Sequence, residues 1–312
     1  MKLKNNSIKA MAFLLSLTLI LGVLSVNVSA ATLNPNSLAQ TGIDYEHDGR
    51  EYKQLVGIYN KGLWNYQRTN VYVGSVLLSV KGFVANGVSY VPFRAAAAAI
   101  SGSSYSYDAS TRTSTLRAPG LEIVAGDNCY VTYANGRVLF NTTPNVIMSD
   151  GRLYIPATVF AKAVGMSVSV DTDSVKLGGS YSPILSGDKF YRSDEVFWLA
   201  RIIHAESRGE PLLGQIAAGN VVMNRVRSKY YPNTIYGVIF DRKYGVQFSP
   251  VLDGTIYNTP GYSATLAAKI CLEGYDVSQG TFFFLNTALA TSSWIPKNRA
   301  YAFTIGNHDF YY

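Results

Sequence analysis

Glu206 stands where the spacing of its helix asks for an apolar side chain. Val196, Leu199 and Ile203 recur at i, i+3 and i+7, the mark of one buried helix face, and Glu206 continues that seam. Gly209 supplies a helix stop, and Pro211 suits the first turn of a second helix. Glu206 is therefore expected in the last turn of its helix, facing inward. Partial desolvation disfavours the anion there, and the negative end of the helix dipole disfavours it further. A carboxylic acid that keeps its proton near neutral pH is what general-acid catalysis needs. The competing reading is a glutamate at a frayed helix end, paired with Arg201 or Arg208. Spacing alone leaves the two open.

Other chemistries find less support. His204-x-Glu206 is half of a zinc deaminase pattern whose Pro-Cys-x-x-Cys half is missing. No His-Glu-x-x-His occurs, and no glycine-rich phosphate loop follows a strand. Cys129 and Cys271 lack zinc spacing, and Cys271 sits mid-helix among Ala268, Ile270 and Leu272 as a core residue would. No metal and no cofactor is expected. His308 is expected at the surface. Glu210 is separated from Glu206 by the helix-stopping Gly209; directly before Pro211, it is expected to cap the second helix. Three further groups remain: Gln247-Phe248-Ser249, the run Phe282 to Asn286 (with Phe284), and Trp294. Aromatic faces beside amide side chains are what an extended cleft uses to grip N-acetylated sugars. A core strand ending in an Asn turn fits the same pattern. In the loop from Asp241 to Tyr262, Asp253 is the candidate for a second carboxylate.

These residues must be positioned by a chain of 312 residues, long enough for two domains with separate cores. Lys2, Lys4 and Lys9, the apolar run from Ala10 to Val26, and Val28-Ser29-Ala30 read as a secretory signal over residues 1–30; an uncleaved anchor is the alternative. Its removal would lower the formal charge from +7 to +4, with no Lys/Arg run of the nucleic-acid-binding kind. Residues 31–70 read as a linker and irregular lead-in.

From 71 to 179 the pattern becomes strand-like and contains a degenerate repeat. Asn86-Gly87-Val88-Ser89-Tyr90-Val91-Pro92 is echoed by Asp150-Gly151-Arg152-Leu153-Tyr154-Ile155-Pro156. Each turn leads to a short strand, a proline, a short helix (Phe93 to Ile100, Ala157 to Val164) and an alternating strand. This part resembles the copper amine oxidase N-terminal-like domain. No histidine lies between Leu55 and Gly179, so copper binding is not expected; a binding or spacer role is. Residues 180–192 read as a Gly/Ser-bearing linker.

From 193 to 312 the chain turns mainly helical, with Ser193 the expected N-cap of the first helix. The order of Ala205-Glu206-Ser207-Arg208-Gly209-Glu210-Pro211, Val222-Met223-Asn224-Arg225-Val226, Pro232-Asn233-Thr234-Ile235 and Gln247-Phe248-Ser249 resembles the SleB-type cell wall hydrolases, the spore cortex-lytic family. The resemblance implies an α+β protein of two domains: a small β-rich repeat domain, then a lysozyme-like, mainly helical catalytic domain. It also implies action on peptidoglycan glycan strands in the cell wall or spore cortex, with Glu206 as the catalytic acid. The expected activity is a lytic transglycosylase cutting the MurNAc–GlcNAc β-1,4 bond. A hydrolytic muramidase using a second carboxylate and a non-catalytic wall or spore-coat binding protein are the alternatives. An amidase or peptidase would need a metal or a Cys/His pair that the chain does not supply at a convincing spacing. Two departures stand out: Ser207 where alanine is common, and Thr287 after Asn286 where proline is usual.

Overall fold

The computed structural model describes residues 41–47, 50–56 and 66–312, apart from 86, 128, 141–146, 244 and 291–292. The expected signal, residues 1–30, lies outside the described residues. The fold is mixed α+β. The lead-in is more regular than expected: Thr41–His47 and Arg50–Val56 pair as an antiparallel ladder, and Tyr66–Val73 already belongs to the main sheet.

The internal repeat organises that sheet. Its two equivalent strands, Val88–Pro92 and Arg152–Pro156, pair antiparallel with each other, Tyr154 opposite Pro92 and Pro156 opposite Tyr90. Equivalent residues thus exchange places about a local two-fold centred on Val91 and Ile155, both fully buried. Asp150 and Gly151 both take positive φ (51° and 69°), the mirror-image turn that suits the twist of a hairpin. Pro92 and Pro156 end the strands and open helices α1 (Phe93–Ala98) and α2 (Ala157–Val164), whose Phe93 and Phe160 meet edge to face. A five-stranded antiparallel meander, from Ser104–Asp108 to Arg137–Phe140, packs beside them.

The stretch read as a linker is packed. Ser182 and Ile184 donate backbone N–H groups to Val164 and Ala163 (2.9 and 3.0 Å), and Gly187 to Asn135 (2.8 Å). Short helix α3 (Gly187–Phe190) then leads into α4 (Ser193–Ser207), α5 (Leu212–Arg227), α6 (Ile235–Ile239), α7 (Pro250–Asp253), α8 (Tyr262–Leu272) and α9 (Trp294–Asn298). Arg192, not Ser193, precedes the first turn of α4, and no side chain caps it. A three-stranded antiparallel sheet of Phe283–Leu285, Tyr301–Ile305 and His308–Tyr311 closes the chain.

Helices α4, α5 and α8 meet closely because Gly219 has no side chain. A Cβ there would lie 2.7 Å from Ile203 Cδ1 and 2.8 Å from Cys271 Sγ, well inside contact distance. Their core does not stop at the helices: Val124, Val131 and Val138 of the meander are buried in the same cluster as Leu199, Ile203 and Ile216.

Beside this shared core lies a charged hub. Glu273, just past α8, accepts Nε and Nη2 of Arg137 (2.8 and 2.6 Å), Nζ of Lys162 (2.9 Å) and the hydroxyl of Tyr191 (2.7 Å). The Arg137 guanidinium also stacks 3.3 Å over Phe190. Burial pushes the Glu273 carboxyl up, but its bonds to Arg137, Lys162 and Tyr191 more than offset this and hold it below the ordinary value. Its contribution is therefore complete above the unfolded-state pKa and is lost as pH falls through the folded one. Removing one partner of a buried pair strands the other charge. Glu273→Ala should cost about 3–5 kcal/mol in urea unfolding. Lys162, 44% exposed, should cost only about 0–1 kcal/mol as alanine. Equal losses would contradict this account of the hub.

Candidate active site

The C-terminal end of α4 is fixed by what lies one and two turns before it. Leu199, Ile202 and Ile203 are buried, and Ser207 Oγ donates back to the Ile203 carbonyl (2.7 Å). This register leaves Glu206 half-buried at the helix end. The expected alternative, an ion pair with Arg201 or Arg208, is not formed. Arg201 Nη1 donates to the Tyr257 and Asn258 carbonyls and its guanidinium lies 4.2 Å over Phe197. Arg208 points to solvent, with no ion pair among the described residues. Burial disfavours the Glu206 anion, the charge of Asp253 adds to this, and Arg225 opposes it; the carboxyl is pushed up to about 7.

Glu206 opens onto a cleft of about 1510 Å³, and all six side chains singled out by the sequence line it: Gln247, Phe248, Ser249, Phe284, Asn286 and Trp294. They are not equally presented. Trp294 is 52% exposed, whereas Phe248 is 4% exposed and serves mainly as core. Phe284 packs against His308 at 5.2 Å. Asn286 Oδ1 accepts the N–H of Ala288 (3.1 Å), so the Asn turn and the cleft wall are one structure.

Three expectations need correcting. His308 is buried, 6% exposed, with its ring against Phe284 and Phe310. Burial lowers its pKa, against the opposing charges of Glu210 and Asp309. Glu210 does not cap α5: Pro211 occupies the N-cap without a side-chain bond. Its carboxylate instead takes both the backbone N–H and the side-chain amide of Asn307 (2.8 and 3.0 Å). At neighbouring Gly306 (φ 61°) a Cβ would fall 1.9 Å from Glu210 Oε2, so the hairpin turn fits only as glycine. The partner lies 97 positions away, which no local pattern reveals. Asp253, finally, is outside the cleft lining. Its Oδ1 accepts Thr255 Oγ1 and N (2.6 and 2.8 Å), which hold the exposed carboxyl below its usual range and ionised.

The cleft also holds residues that spacing did not single out. Asp241, Tyr230, Tyr231 and Arg299 line it, and Arg299 stacks over Phe283 and Trp294 at 4.7 and 5.2 Å. Arg225 is 5% exposed on the inner face of α5. It falls three residues after the apolar Val222, the same signal of a polar group on a buried seam that marked Glu206. Among the described residues no group of His, Cys, Asp and Glu could hold a metal. No helix of the described residues is long and apolar enough to cross a membrane.

Comparison with known proteins gives two family matches. The cell wall hydrolase model matches residues 209–311, beginning just after Glu206, and the copper amine oxidase N-terminal domain matches residues 71–177. The spore cortex-lytic enzyme of Bacillus cereus is 39% identical over 120 residues, 38% of this chain and 45% of that enzyme. Its counterpart from Bacillus subtilis is 36% identical over 120 residues, 38% of each chain. The chain thus spans less than half the length of these curated relatives. Among solved structures, the catalytic domain of the germination-specific lytic transglycosylase SleB from Bacillus anthracis is 38% identical. That match covers 39% of this chain and 97% of that one, with a TM-score of 0.36. Through its C-terminal part the chain belongs to the cell wall hydrolase family, and its middle is a copper amine oxidase N-terminal domain.

Proposed function

We propose that this chain is a secreted, peptidoglycan-cleaving lytic transglycosylase that cuts the MurNAc–GlcNAc β-1,4 bond with Glu206 as its acid and then its base. The observation that carries the reading is a half-buried carboxyl, unpaired among the described residues and pushed up to about 7, in a long cleft with aromatic and amide walls. The relatives named spore cortex-lytic enzymes and lytic transglycosylase support it. In the first step the Glu206 proton passes to the glycosidic oxygen as the C1–O bond breaks and positive charge develops at C1. In the second, the muramoyl 6-hydroxyl attacks C1, and the Glu206 carboxylate takes the hydroxyl proton. No water is consumed, and the acid is regenerated.

The other cleft carboxylates fit this one-acid scheme. Both oxygens of Glu210 are engaged by Asn307, and Asp241 Oδ1 accepts the N–H of Lys243 (2.9 Å). The hydrolytic alternative passes from Asp253 to Asp241, because Asp241 is the one that lines the cleft. The helical part would be the catalytic, lysozyme-like domain. The β-rich part would be a binding or spacer module on a chain exported by its first 30 residues.

Glu206→Gln should lower glycan cleavage by about 10²–10⁴-fold while leaving thermal melting in place. Near-normal turnover would remove Glu206 from the acid's role. Mass spectrometry of digested sacculi should show anhydro-muramic ends; new reducing ends without them would favour a hydrolase, and their loss in Asp241→Asn would name its second carboxylate. Because the acid must be protonated, kcat/KM should fall about ten-fold per pH unit above about 7. Asp253→Asn removes a charge that disfavours the anion, so this alkaline limb should move to lower pH. A limb that stays in place would show that Asp253 has no hold on the acid.

A further inference from the structure

One cation in the lining of the Glu206 cleft is held in an unusual way. Arg225 is 5% exposed at the inner end of α5, yet it has no carboxylate within 4 Å among the described residues. What holds its guanidinium is aromatic: Tyr231, Phe248 and Phe283 surround it, with ring centres 5.2, 5.1 and 5.3 Å away. Its Nε donates to the Phe282 carbonyl (2.9 Å), and its buried Nη1 has no hydrogen-bond partner. Ring faces attract a cation without neutralising it, whereas a carboxylate partner would cancel its field at longer range. Removing water around such a charge costs free energy that only a compensating role or a later partner recovers. Arg225 lines the same cleft as Glu206, and the other titratable groups acting on the pair are Asp253 on Glu206, and Tyr231 and Asp241 on Arg225.

We propose that Arg225 is a positioning residue for proton transfer: its un-neutralised charge, kept in place by three aromatic rings, is the counter-charge for the carboxylate that Glu206 becomes on giving up its proton. The inference rests on Glu206 being the acid. During the first half of the reaction a negative charge appears in a desolvated site. A fixed cation stabilises it there without any reorganisation at the moment of transfer. The same cation keeps Glu206 from holding its proton so tightly that the group cannot act as an acid. Three neutral rings leave that field available, and the Phe282 carbonyl fixes where it originates. Phe248 therefore has a second task, which explains how a residue in the cleft lining can be almost wholly buried.

The direct test is the titration of the Glu206 carboxyl carbon, followed by carbon-13 NMR in labelled full-length protein, beside the pH dependence of kcat. In Arg225→Gln the midpoint should rise, the alkaline limb of kcat should follow it, and kcat should drop on the order of 100-fold with KM little changed. Arg225→Lys keeps a positive charge in the same cradle and should leave the midpoint near its wild-type position. It also keeps the inference testable if Arg225→Gln does not fold, because a midpoint raised in Arg225→Lys would overturn the charge argument. An unmoved midpoint in folded Arg225→Gln would overturn it too. A midpoint that moves while the kcat limb stays fixed would uphold the charge coupling and refute Glu206 as the acid, so the two readings fail separately.

Discussion

A carboxyl group withdrawn from water without an ion pair in contact must be held there by packing, since its own electrostatics favour exposure or pairing. Glu206 is in this position, and the rest of the C-terminal half can be understood from it. Leu199 and Ile203 fix the rotation of α4, and Gly219 lets α5 close against Ile203 and Cys271. The glutamate one turn beyond Ile203 then has nowhere to point except the cleft. A larger residue at 219 would spread three helices and unseat that register without touching the cleft.

The hub at Glu273 extends the constraint to the middle of the chain. Arg137 and Lys162 come from the β-rich part, and Tyr191 from the stretch that leads into α4. The meander residues Val124, Val131 and Val138 share a core with the helices. The β-rich part therefore braces the helices that carry the proposed acid. Its own stability is built on repetition: two hairpins pair through identical strand positions, and each supplies a buried tyrosine, Tyr90 and Tyr154.

Much of this was readable in the residues because it depends on local spacing. The α4 seam, the repeat with its turns and prolines, and the helices after Pro92 and Pro156 follow from periodicity and turn chemistry. So did the gathering of Gln247, Phe248, Ser249, Phe284, Asn286 and Trp294 around Glu206, once family resemblance was added to aromatic and amide content. What was not readable depends on partners far apart in the chain. Glu210 looked like a helix cap because its nearest neighbours are a glycine and a proline; its partner is Asn307. His308 looked exposed because the short strands around it give no periodic signal, yet Phe284 and Phe310 enclose it. A linker composition between residues 180 and 192 concealed backbone bonds to Ala163, Val164 and Asn135.

The account turns on where the scissile bond lies relative to one carboxyl group. The most direct measurement is a crystal structure of the Glu206→Gln protein with an intact glycan oligomer of alternating N-acetylglucosamine and N-acetylmuramic acid. The account predicts a glycosidic oxygen within hydrogen-bond reach, about 3 Å, of the side chain at position 206, with the muramoyl 6-hydroxyl turned toward its own C1. An oligomer that occupies the cleft with its glycosidic oxygens away from position 206, and beside another carboxylate, would contradict it.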